Sequence, residues 1–428
     1  MTYLIILIVF YITFPIFLIW ITGKSKLLKR IGAIVLAYAL GIVIGNIGIL
    51  PKQSEAFRDA RQDQPYLSGD KMSELIAAGT LTEEDLTANR VALIQDSVMS
   101  AIVPLALPLI LFSLNVRRWL RFSGKGFLSM VLALVSVSII VASGYLIFRN
   151  AIPGCDKIGG MLIGCYTGGT VNMASISVAL KVEPHSFIIA NTYDIMVGAV
   201  TILFFMTAGP AFFRKFLPPF KAQHGNGSEG LDFEKVGREM TEEFEDFSGM
   251  FKKDTVLPLI GAFGIAVIIF VSGFGVSLLL PGVPQLVSVI LTITTLGIAA
   301  SFVPWVRKIK KTFQLGMYFI IAFSLVMASM CDLAVLFQAK YLNLLLYVLW
   351  AYFGSLLLHL FLSWLFRVNA DDYLITTTGF VYSPPFVPIV ASALKNKDVI
   401  LTGLATGIIG WAIGNYMGVA FGLWLGSL

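Results

Sequence analysis

The chain alternates between long apolar stretches and short polar connections. A helix needs about 20 apolar residues to cross the hydrocarbon core of a bilayer, and twelve stretches approach or exceed that length. The pattern therefore predicts an all-α polytopic membrane protein with about 11–13 transmembrane helices. The stretches cover residues 2–21, 30–50, 92–115, 126–148, 158–180, 186–209, 255–281, 284–304, 313–337, 341–366, 373–394 and 398–427.

A polar insertion at residues 52–91 interrupts the first part of the chain. Within it, Thr82-Glu83-Glu84-Asp85 fits a helix capping box, so a short helix is expected to lead into the third apolar stretch. A solvated helical loop is the favoured interpretation, and a gate or partner surface is the alternative.

A second polar segment, residues 210–254, divides the chain into two parts. It contains the flexible sequence Gly225-Asn226-Gly227-Ser228 and a charged run that predicts a surface helix from Phe233 to Phe247. We expect an N-terminal transmembrane repeat at 1–209, which includes the extracytoplasmic insertion, then a polar linker at 210–254 and a C-terminal transmembrane repeat at 255–428.

Short sequences recur in the same order in the two parts. The pairs are Ile31-Gly32-Ala33 with Ile260-Gly261-Ala262, Phe112-Ser113-Leu114 with Phe323-Ser324-Leu325, Thr167-Gly168 with Thr378-Gly379, and Ala179-Leu180-Lys181 with Ala393-Leu394-Lys395. This order predicts an internal duplication, for which inverted repeats are expected. An even number of spans separates the matched elements, which would make the repeats parallel. Inverted repeats need an odd number, so one stretch within 158–209 or 255–304 is expected to be re-entrant or miscounted.

The composition supports the membrane assignment: 57% of the residues are hydrophobic, 13% are charged, and the mean hydropathy is +0.84. The formal charge of +6 comes largely from short basic loops, which predict the cytoplasmic side of a plasma (inner) membrane rather than a nucleic-acid partner. Residues 2–21 are predicted to be a retained helix rather than a cleaved signal. The basic loops contain Lys24, Lys26, Lys29 and Arg30; Arg117, Arg118, Arg121 and Lys125; and Arg307, Lys308, Lys310 and Lys311.

The segment from Gly164 to Ser175 carries glycines, hydroxyl groups and an amide inside an apolar stretch. Glycines kink or unwind a helix, and polar backbone at membrane depth is tolerated only where it is buried in protein or lines a watery cavity. We interpret the segment as a broken helix at a substrate or ion site. Its candidate binding residues are Thr167, Gly168, Gly169, Thr170, Asn172 and Ser175.

A second broken helix is predicted at residues 376–388, where three prolines free carbonyl groups from helical hydrogen bonding. Free carbonyls suit Na⁺ or a proton carrier, whereas half-helix N-termini suit an anion. A glycine-rich packing face with ordinary proline kinks is the alternative for both segments. The candidate residues here are Thr377, Thr378, Gly379 and Ser383.

Asp194 is a carboxylate well inside an apolar stretch, where it costs about 2.5–3.5 kcal/mol on insertion scales and should face the protein interior. Asn191 lies one helical turn earlier on the same face. Together they are candidate Na⁺ ligands, or Asp194 carries a proton; a structural carboxylate is the alternative. Asp332 is expected at a membrane boundary, His359 in a packed core, and Asn415 as a ligand or an interhelical contact.

Three sequences resemble the YjcL-like (DUF819-type) family of uncharacterised membrane proteins: Pro104-Leu105-Ala106-Leu107-Pro108-Leu109-Ile110-Leu111-Phe112, Arg117-Arg118-Trp119 and Tyr166-Thr167-Gly168-Gly169-Thr170-Val171-Asn172. The arrangement is more distantly similar to the bile-acid:sodium symporters and sodium/proton antiporters. That resemblance implies a core domain with two crossed broken helices that moves against a panel or dimerisation domain. Ser383-Pro384-Pro385 departs from the glycine pair that those families have in the second broken helix.

The sequence thus predicts an ion-coupled secondary transporter of a small solute, an organic anion or metabolite, with Na⁺ or H⁺ as the coupling ion and a homodimer as the assembly. A cation/proton antiporter is the alternative within transport. A membrane scaffold or sensor with 210–254 as its partner surface is the alternative from another class. No ATP-binding loop, zinc motif or catalytic triad occurs in the sequence, so neither an enzyme nor a cofactor is predicted.

Overall fold

The structure is a computed structural model that describes residues 2–25, 28, 32–51, 53–61, 66–113, 124–220, 246–250, 252–330, 341–396 and 398–428. The described residues form α-helices and one short 3-10 helix, Pro384–Phe386, without any β-strand. The helices are α1 Thr2–Lys24, α2 Ala33–Asn46, α3 Glu55–Arg61, α4 Gly69–Ala77, α5 Glu83–Phe112, α6 Gly124–Phe148, α7 Cys155–Ala179, α8 Pro184–Met206, α9 Gly209–Phe213, α10 Lys253–Leu278, α11 Gln285–Ser301, α12 Pro304–Arg307, α13 Thr312–Ser329, α14 Leu342–Leu365, α15 Ala370–Val381, α16 Val387–Leu394 and α17 Ile400–Gly426.

Eight of these helices are long and apolar enough to cross a membrane, and α2 and α11 are shorter apolar helices. The chain is therefore a multi-pass membrane protein, as its hydropathy pattern predicts. The capping box at α5 is present as predicted: Thr82 Oγ1 accepts a hydrogen bond from the Asp85 N–H, and Asp85 Oδ2 accepts one from the Thr82 N–H at 3.0 Å. Asp332, Trp119, the basic loop before Lys125 and most of the predicted linker lie outside the described residues.

The described residues of the basic loops lie at one end of the helix bundle, called here the basic end. Lys125 Nζ donates a hydrogen bond to the Phe366 carbonyl at 3.1 Å, so α6 begins where α14 ends. Gly316 packs against Ala106 and Ile110, so the start of α13 lies beside the end of α5. The basic loop that precedes α13 is therefore at this end as well. The described part of the insertion before α5, residues 53–61 and 66–82, lies at the opposite end. The positive-inside rule predicts that the basic end is cytoplasmic.

Helix α7 reverses direction at its centre and forms a helical hairpin, called hairpin 1. Gly169 has φ 68° and ψ −160°, which separates residues 155–168 from residues 170–179. A Cβ atom at Gly164 would lie 2.0 Å from Ile176 Cδ1, and one at Gly160 would lie 2.9 Å from Leu180 Cδ1. Residues so far apart in sequence would be widely separated in a straight helix. Hairpin 1 therefore enters and leaves at the same end, opposite the basic end.

Helices α15 and α16, with the 3-10 helix between them, form hairpin 2 at the basic end. Its reversal lies at Ser383, which has φ 72° and ψ 166°. Asp371, at the start of α15, accepts hydrogen bonds from Asn396 Nδ2 at 2.8 Å and from Arg214 Nη2 at 3.0 Å. Arg214 Nη2 also donates to the Leu394 carbonyl at 3.2 Å, so the two ends of hairpin 2 lie side by side.

The reversal of α7 makes it a re-entrant stretch, as the even number of spans in the sequence required of one stretch. The stretch lies within 158–209, the first of the two predicted regions. The two interrupted elements were expected to be crossing helices, but in the structure each one reverses at its interruption and returns to the end from which it came. The chain continues into α8 from the end opposite the basic end, and α8 then runs to the basic end.

The helices pack in two groups. One contains α1, α2, α5, α10, α11 and α13; the other contains α6, α8, α14, α17 and both hairpins. Each group includes helices from both predicted halves, 1–209 and 255–428. The hairpin group is joined to the other group chiefly through contacts of hairpin 1 and α17 with α5 and α11.

Candidate functional site

Both hairpins lie along a row of glycines on α17. The row has the three- and four-residue spacing of one helix face, which lets backbones approach closely. A Cβ atom at Gly407 would lie 2.7 Å from the Gly379 carbonyl oxygen in hairpin 2, and one at Gly410 would lie 1.7 Å from the Thr167 carbonyl oxygen in hairpin 1. The row consists of Gly403, Gly407, Gly410, Gly414, Gly418 and Gly422.

The tips of the two hairpins meet beside this row, at a place called here the tip junction. Ser383 Oγ donates a hydrogen bond to the Gly168 carbonyl at 3.4 Å. A Cβ atom at Gly169 would lie 2.3 Å from Ser383 Oγ. The tip junction therefore brings together non-helical backbone from two elements that enter the bundle from opposite ends.

Polar side chains of hairpin 1 surround the tip junction. Thr167 Oγ1 donates to the Ile163 carbonyl at 2.8 Å, and Asn172 Nδ2 donates to the Gly410 carbonyl at 2.9 Å. Asn172 Oδ1 is buried without a hydrogen-bond partner. Thr170 is the first residue after the tip and is partly buried.

A further polar contact ties hairpin 1 to the other helix group. Ser175 Oγ donates to Asn415 Oδ1 on α17 at 2.5 Å, and Asn415 Nδ2 donates to Thr294 Oγ1 on α11 at 3.3 Å. All three side chains are buried. Asn415 is thus an interhelical contact, one of the two roles that the sequence left open for it.

Asp194 and Asn191 lie on α8, against the first arm of hairpin 1. Cys165 Sγ donates to Asp194 Oδ2 at 3.5 Å, while Asp194 Oδ1 is buried without a hydrogen-bond partner. Asn191 is 1% exposed, and neither its Nδ2 nor its Oδ1 has a partner. The hydroxyl of Tyr166 is also buried and faces the Asp194 carboxylate without a well-formed hydrogen bond. Buried polar groups are rarely left unpaired, so the two unpaired amide atoms of Asn191, one helical turn from this carboxylate, are unusual.

The predicted residues of hairpin 2 separate into different environments. Thr377 Oγ1 is 3.2 Å from His359 Nδ1, and His359 Nε2 is 3.2 Å from Ser129 Oγ. Thr378 Oγ1 donates to the Leu374 carbonyl within α15. Gly379 packs against α17. Of the four predicted residues, Ser383 is the one at the tip junction.

His359, Ser129 and Thr377 form a group called here the His359 cluster. A small cavity of about 30 Å³ lies between this cluster and hairpin 1. It is large enough to hold a water molecule. Tyr166 and Tyr352 line one part of it, and His359, Thr377 and Phe380 line another.

The sequence profile of the family described as "Protein of unknown function (DUF819)" matches residues 74–428. The chain belongs to the DUF819 family. The DUF819 chain is also 27% identical over 344 residues to the uncharacterized membrane protein YjcL of Bacillus subtilis (strain 168), an alignment that covers 78% of this chain and 84% of YjcL. The predicted resemblance to the YjcL-like family is confirmed, while the relation to bile-acid symporters and antiporters stays a prediction.

In this DUF819 protein, the hairpin 1 residues and Ser383 lie together, whereas Asp194 and Thr377 belong to two neighbouring polar clusters. The sequence matched Thr167-Gly168 with Thr378-Gly379, but the structural counterpart of the Gly169 tip is Ser383. The glycine row of α17 was not predicted as part of the site, although its three- and four-residue spacing is visible in the sequence. The spacing alone gives no partner, because small residues pack against many kinds of neighbour.

Proposed function

We propose that this protein is a secondary transporter that moves a small solute by alternating access, coupled to Na⁺ or H⁺. The observation that carries the proposal is the tip junction, where two hairpins from opposite ends meet at Gly168, Gly169 and Ser383. Irregular backbone at membrane depth is tolerated where it is buried in protein or lines a watery cavity, and a junction between hairpins from opposite ends suits the second role. If one hairpin moves away from the junction, a site there opens to one side of the membrane alone.

Two orientations of one arrangement support alternating access. The order helix, helix, hairpin, helix occurs as α5, α6, hairpin 1 and α8, and again as α13, α14, hairpin 2 and α17. The two hairpins open at opposite ends. We infer inverted repeats, which in transporters allow two similar states that face opposite sides. The match of Ile31-Gly32-Ala33 with Ile260-Gly261-Ala262 does not belong to this pattern, because α2 and α10 run in the same direction.

The chemistry of the two tips favours an organic anion as the solute. The second arm of hairpin 1 begins at Thr170, where backbone N–H groups at a helix N-terminus attract negative charge. The second arm of hairpin 2 contains Pro384, Pro385 and Pro388, which have no N–H to offer. Hairpin 1 is therefore the better anion-binding tip of the two.

The two helix groups supply a physical basis for movement. The group that holds both hairpins is the proposed core, and the group of α1, α2, α5, α10, α11 and α13 is the proposed panel, which also provides the surface for a homodimer. A core and a panel are also what the predicted distant resemblance to symporters and antiporters implies. The plasma (inner) membrane is the proposed location, with the basic end in the cytoplasm.

The test uses a cysteine at the tip junction, in a variant whose native Cys155, Cys165 and Cys331 are replaced. We expect a cysteine at Ser383 to react with a membrane-impermeant thiol reagent from both sides of sealed vesicles. A membrane scaffold or sensor predicts reaction from one side at most. A cysteine at Ser129, which is buried in the His359 cluster, is the control for non-specific leakage.

Solute identification follows from a thermal-shift screen of organic anions, repeated with Na⁺ and with choline. A stabilising anion should accumulate in proteoliposomes under an inward Na⁺ or proton gradient. The alternative, a cation/proton antiporter, predicts instead that Na⁺ alone drives proton movement without any organic solute.

A further inference from the structure

The carboxylate of Asp194 has no positive partner among the residues that the structure describes. The Tyr166 hydroxyl faces it without a well-formed hydrogen bond, and both Asp194 Oδ1 and Asn191 Oδ1 are buried without a close partner. The opposite face of α8 is apolar and exposed, with Met196 at 63% and Val200 at 70%, as expected for contact with lipid. An ionised carboxylate in such a place is unfavourable unless a cation or a proton neutralises it.

The titratable groups that face Asp194 come from each of the neighbouring elements. Cys165 and Tyr166 approach from hairpin 1, Tyr352 from α14 and Tyr382 from hairpin 2. Within the described part of the chain, none of these groups is positively charged. The oxygen atoms of a carboxylate, an amide and a hydroxyl are hard ligands of the kind that bind Na⁺, and the carboxylate is equally able to bind a proton.

A chain of tyrosines leads from this cluster to the tip of hairpin 2. The rings of Tyr166 and Tyr352 meet edge to face with centroids 5.4 Å apart. The hydroxyls of Tyr352 and Tyr382 share a short hydrogen bond, and Tyr382 donates to the Gly198 carbonyl at 3.0 Å. Gly198 lies one helical turn after Asp194 on α8. Tyr382 immediately precedes Ser383, the residue at which hairpin 2 reverses.

We propose that Asp194, Asn191 and Tyr166 bind the coupling cation, and that Tyr352 and Tyr382 transmit its presence to the tip of hairpin 2. The proposal rests on the transporter function and specifies its ion site. A cation draws the oxygen atoms of α8 and hairpin 1 together. This keeps Tyr166 in contact with Tyr352, and it keeps the Gly198 carbonyl within hydrogen-bond distance of Tyr382. Hairpin 2 is then fixed against the tip junction. Without the cation the hold on Tyr382 weakens, and hairpin 2 is freer to leave.

Hydrogen exchange and thermal unfolding of the purified full chain test the proposal, with Na⁺ or choline as the monovalent cation and across a pH series. In the wild type, the cation should raise the melting temperature and slow exchange in both 191–198 and 376–394. At about 100 times the dissociation constant it should lower the unfolded population about 100-fold. A response to Na⁺ at constant pH identifies Na⁺, and stabilisation by falling pH without Na⁺ identifies the proton.

Two variants test the cation site. Asp194→Asn should abolish the response, while Asp96→Asn, which removes a carboxylate beside a different cavity, should keep it. Asn191→Ala retains the carboxylate and should raise the cation concentration that is needed to stabilise the protein. This second variant tests the site if Asp194→Asn does not fold. A wild type that responds to neither cation, or an Asp194→Asn variant that responds like the wild type, overturns the site.

Tyr382→Phe tests the link to hairpin 2. Residues 191–198 should still respond to the cation, whereas 376–394 should not. Tyr373→Phe is the matched control, because it removes a hydroxyl that donates to the Leu356 carbonyl from the same hairpin. A response of 376–394 that persists in Tyr382→Phe overturns the link. If Ser383 is accessible from both sides but the protein does not respond to a cation, the cation site is wrong and the transporter proposal is unaffected. If the protein responds to a cation but Ser383 is not accessible from both sides, the transporter proposal is wrong and the cation site is unaffected.

Discussion

At the scale of single residues, the two hairpin tips use nearly the same backbone conformation with different residues. Gly169 and Ser383 both have positive φ with ψ near 180°. This region is almost confined to glycine, and another residue placed there carries about 1–3 kcal/mol of strain. Ser383 therefore holds a strained backbone at the tip junction, where it also touches Gly168 and Gly169.

Exchanging the residue types at the two tips should have opposite effects. Ser383→Gly should raise the free energy of unfolding by about 1 kcal/mol, because relief of strain exceeds the loss of a long hydrogen bond. Gly169→Ala should lower it by about 1–3 kcal/mol, because the new Cβ meets both a positive φ and Ser383 Oγ. Denaturant unfolding in detergent measures both changes. Destabilisation by Ser383→Gly would show that the serine contact outweighs the strain.

At the scale of elements, hydropathy predicted the helices well but not the reversal of the two interrupted ones. The apolar stretch at 158–180 matches α7 closely. A glycine pair within it fits a kink as well as a complete turn, so the local sequence cannot distinguish a crossing helix from a hairpin. The distinction comes from packing between distant residues, such as Gly164 with Ile176.

Packing of hairpin 1 on α17 should depend on the absence of a side chain at Gly410. Gly410→Ala places a methyl group against backbone of hairpin 1, which cannot move aside easily. We expect a loss of about 1–3 kcal/mol or more. Gly261→Ala on α10 is the matched control, because nothing lies within 4 Å of its Cβ position, and it should be neutral or slightly stabilising. Thermal unfolding compares the two; equal stability would contradict the close contact.

At the scale of the whole molecule, the fold-back of α7 reconciles the charge distribution with the helix directions. Lys24, Lys125, Arg214 and Lys311 belong to connections at the basic end. A continuous span at 155–179 would place Arg214 at the other end. The sequence showed that the count of spans did not fit inverted repeats but could not show where, because a re-entrant stretch in either 158–209 or 255–304 would give the odd number that they require.

This arrangement predicts that the end of α17 lies outside the cytoplasm. A periplasmic-type alkaline phosphatase fused after Leu428 should be active, and a fluorescent protein that requires the cytoplasm should be dark there. The same reporters placed in the basic connection at Lys308 should give the reverse result. Cytoplasmic fluorescence at Leu428 would show that the orientation or the count of spans is wrong.

The base of hairpin 2 is fastened to the chain that connects the two halves. Arg214 pairs with Asp371, and the Ala370 N–H donates to the Pro218 carbonyl at 3.1 Å. A force on the chain around Arg214 and Pro218 would therefore act directly on the start of hairpin 2. If hairpin 2 moves as proposed, a protein or a modification that acts on the chain after Pro218 would influence that movement from outside the membrane.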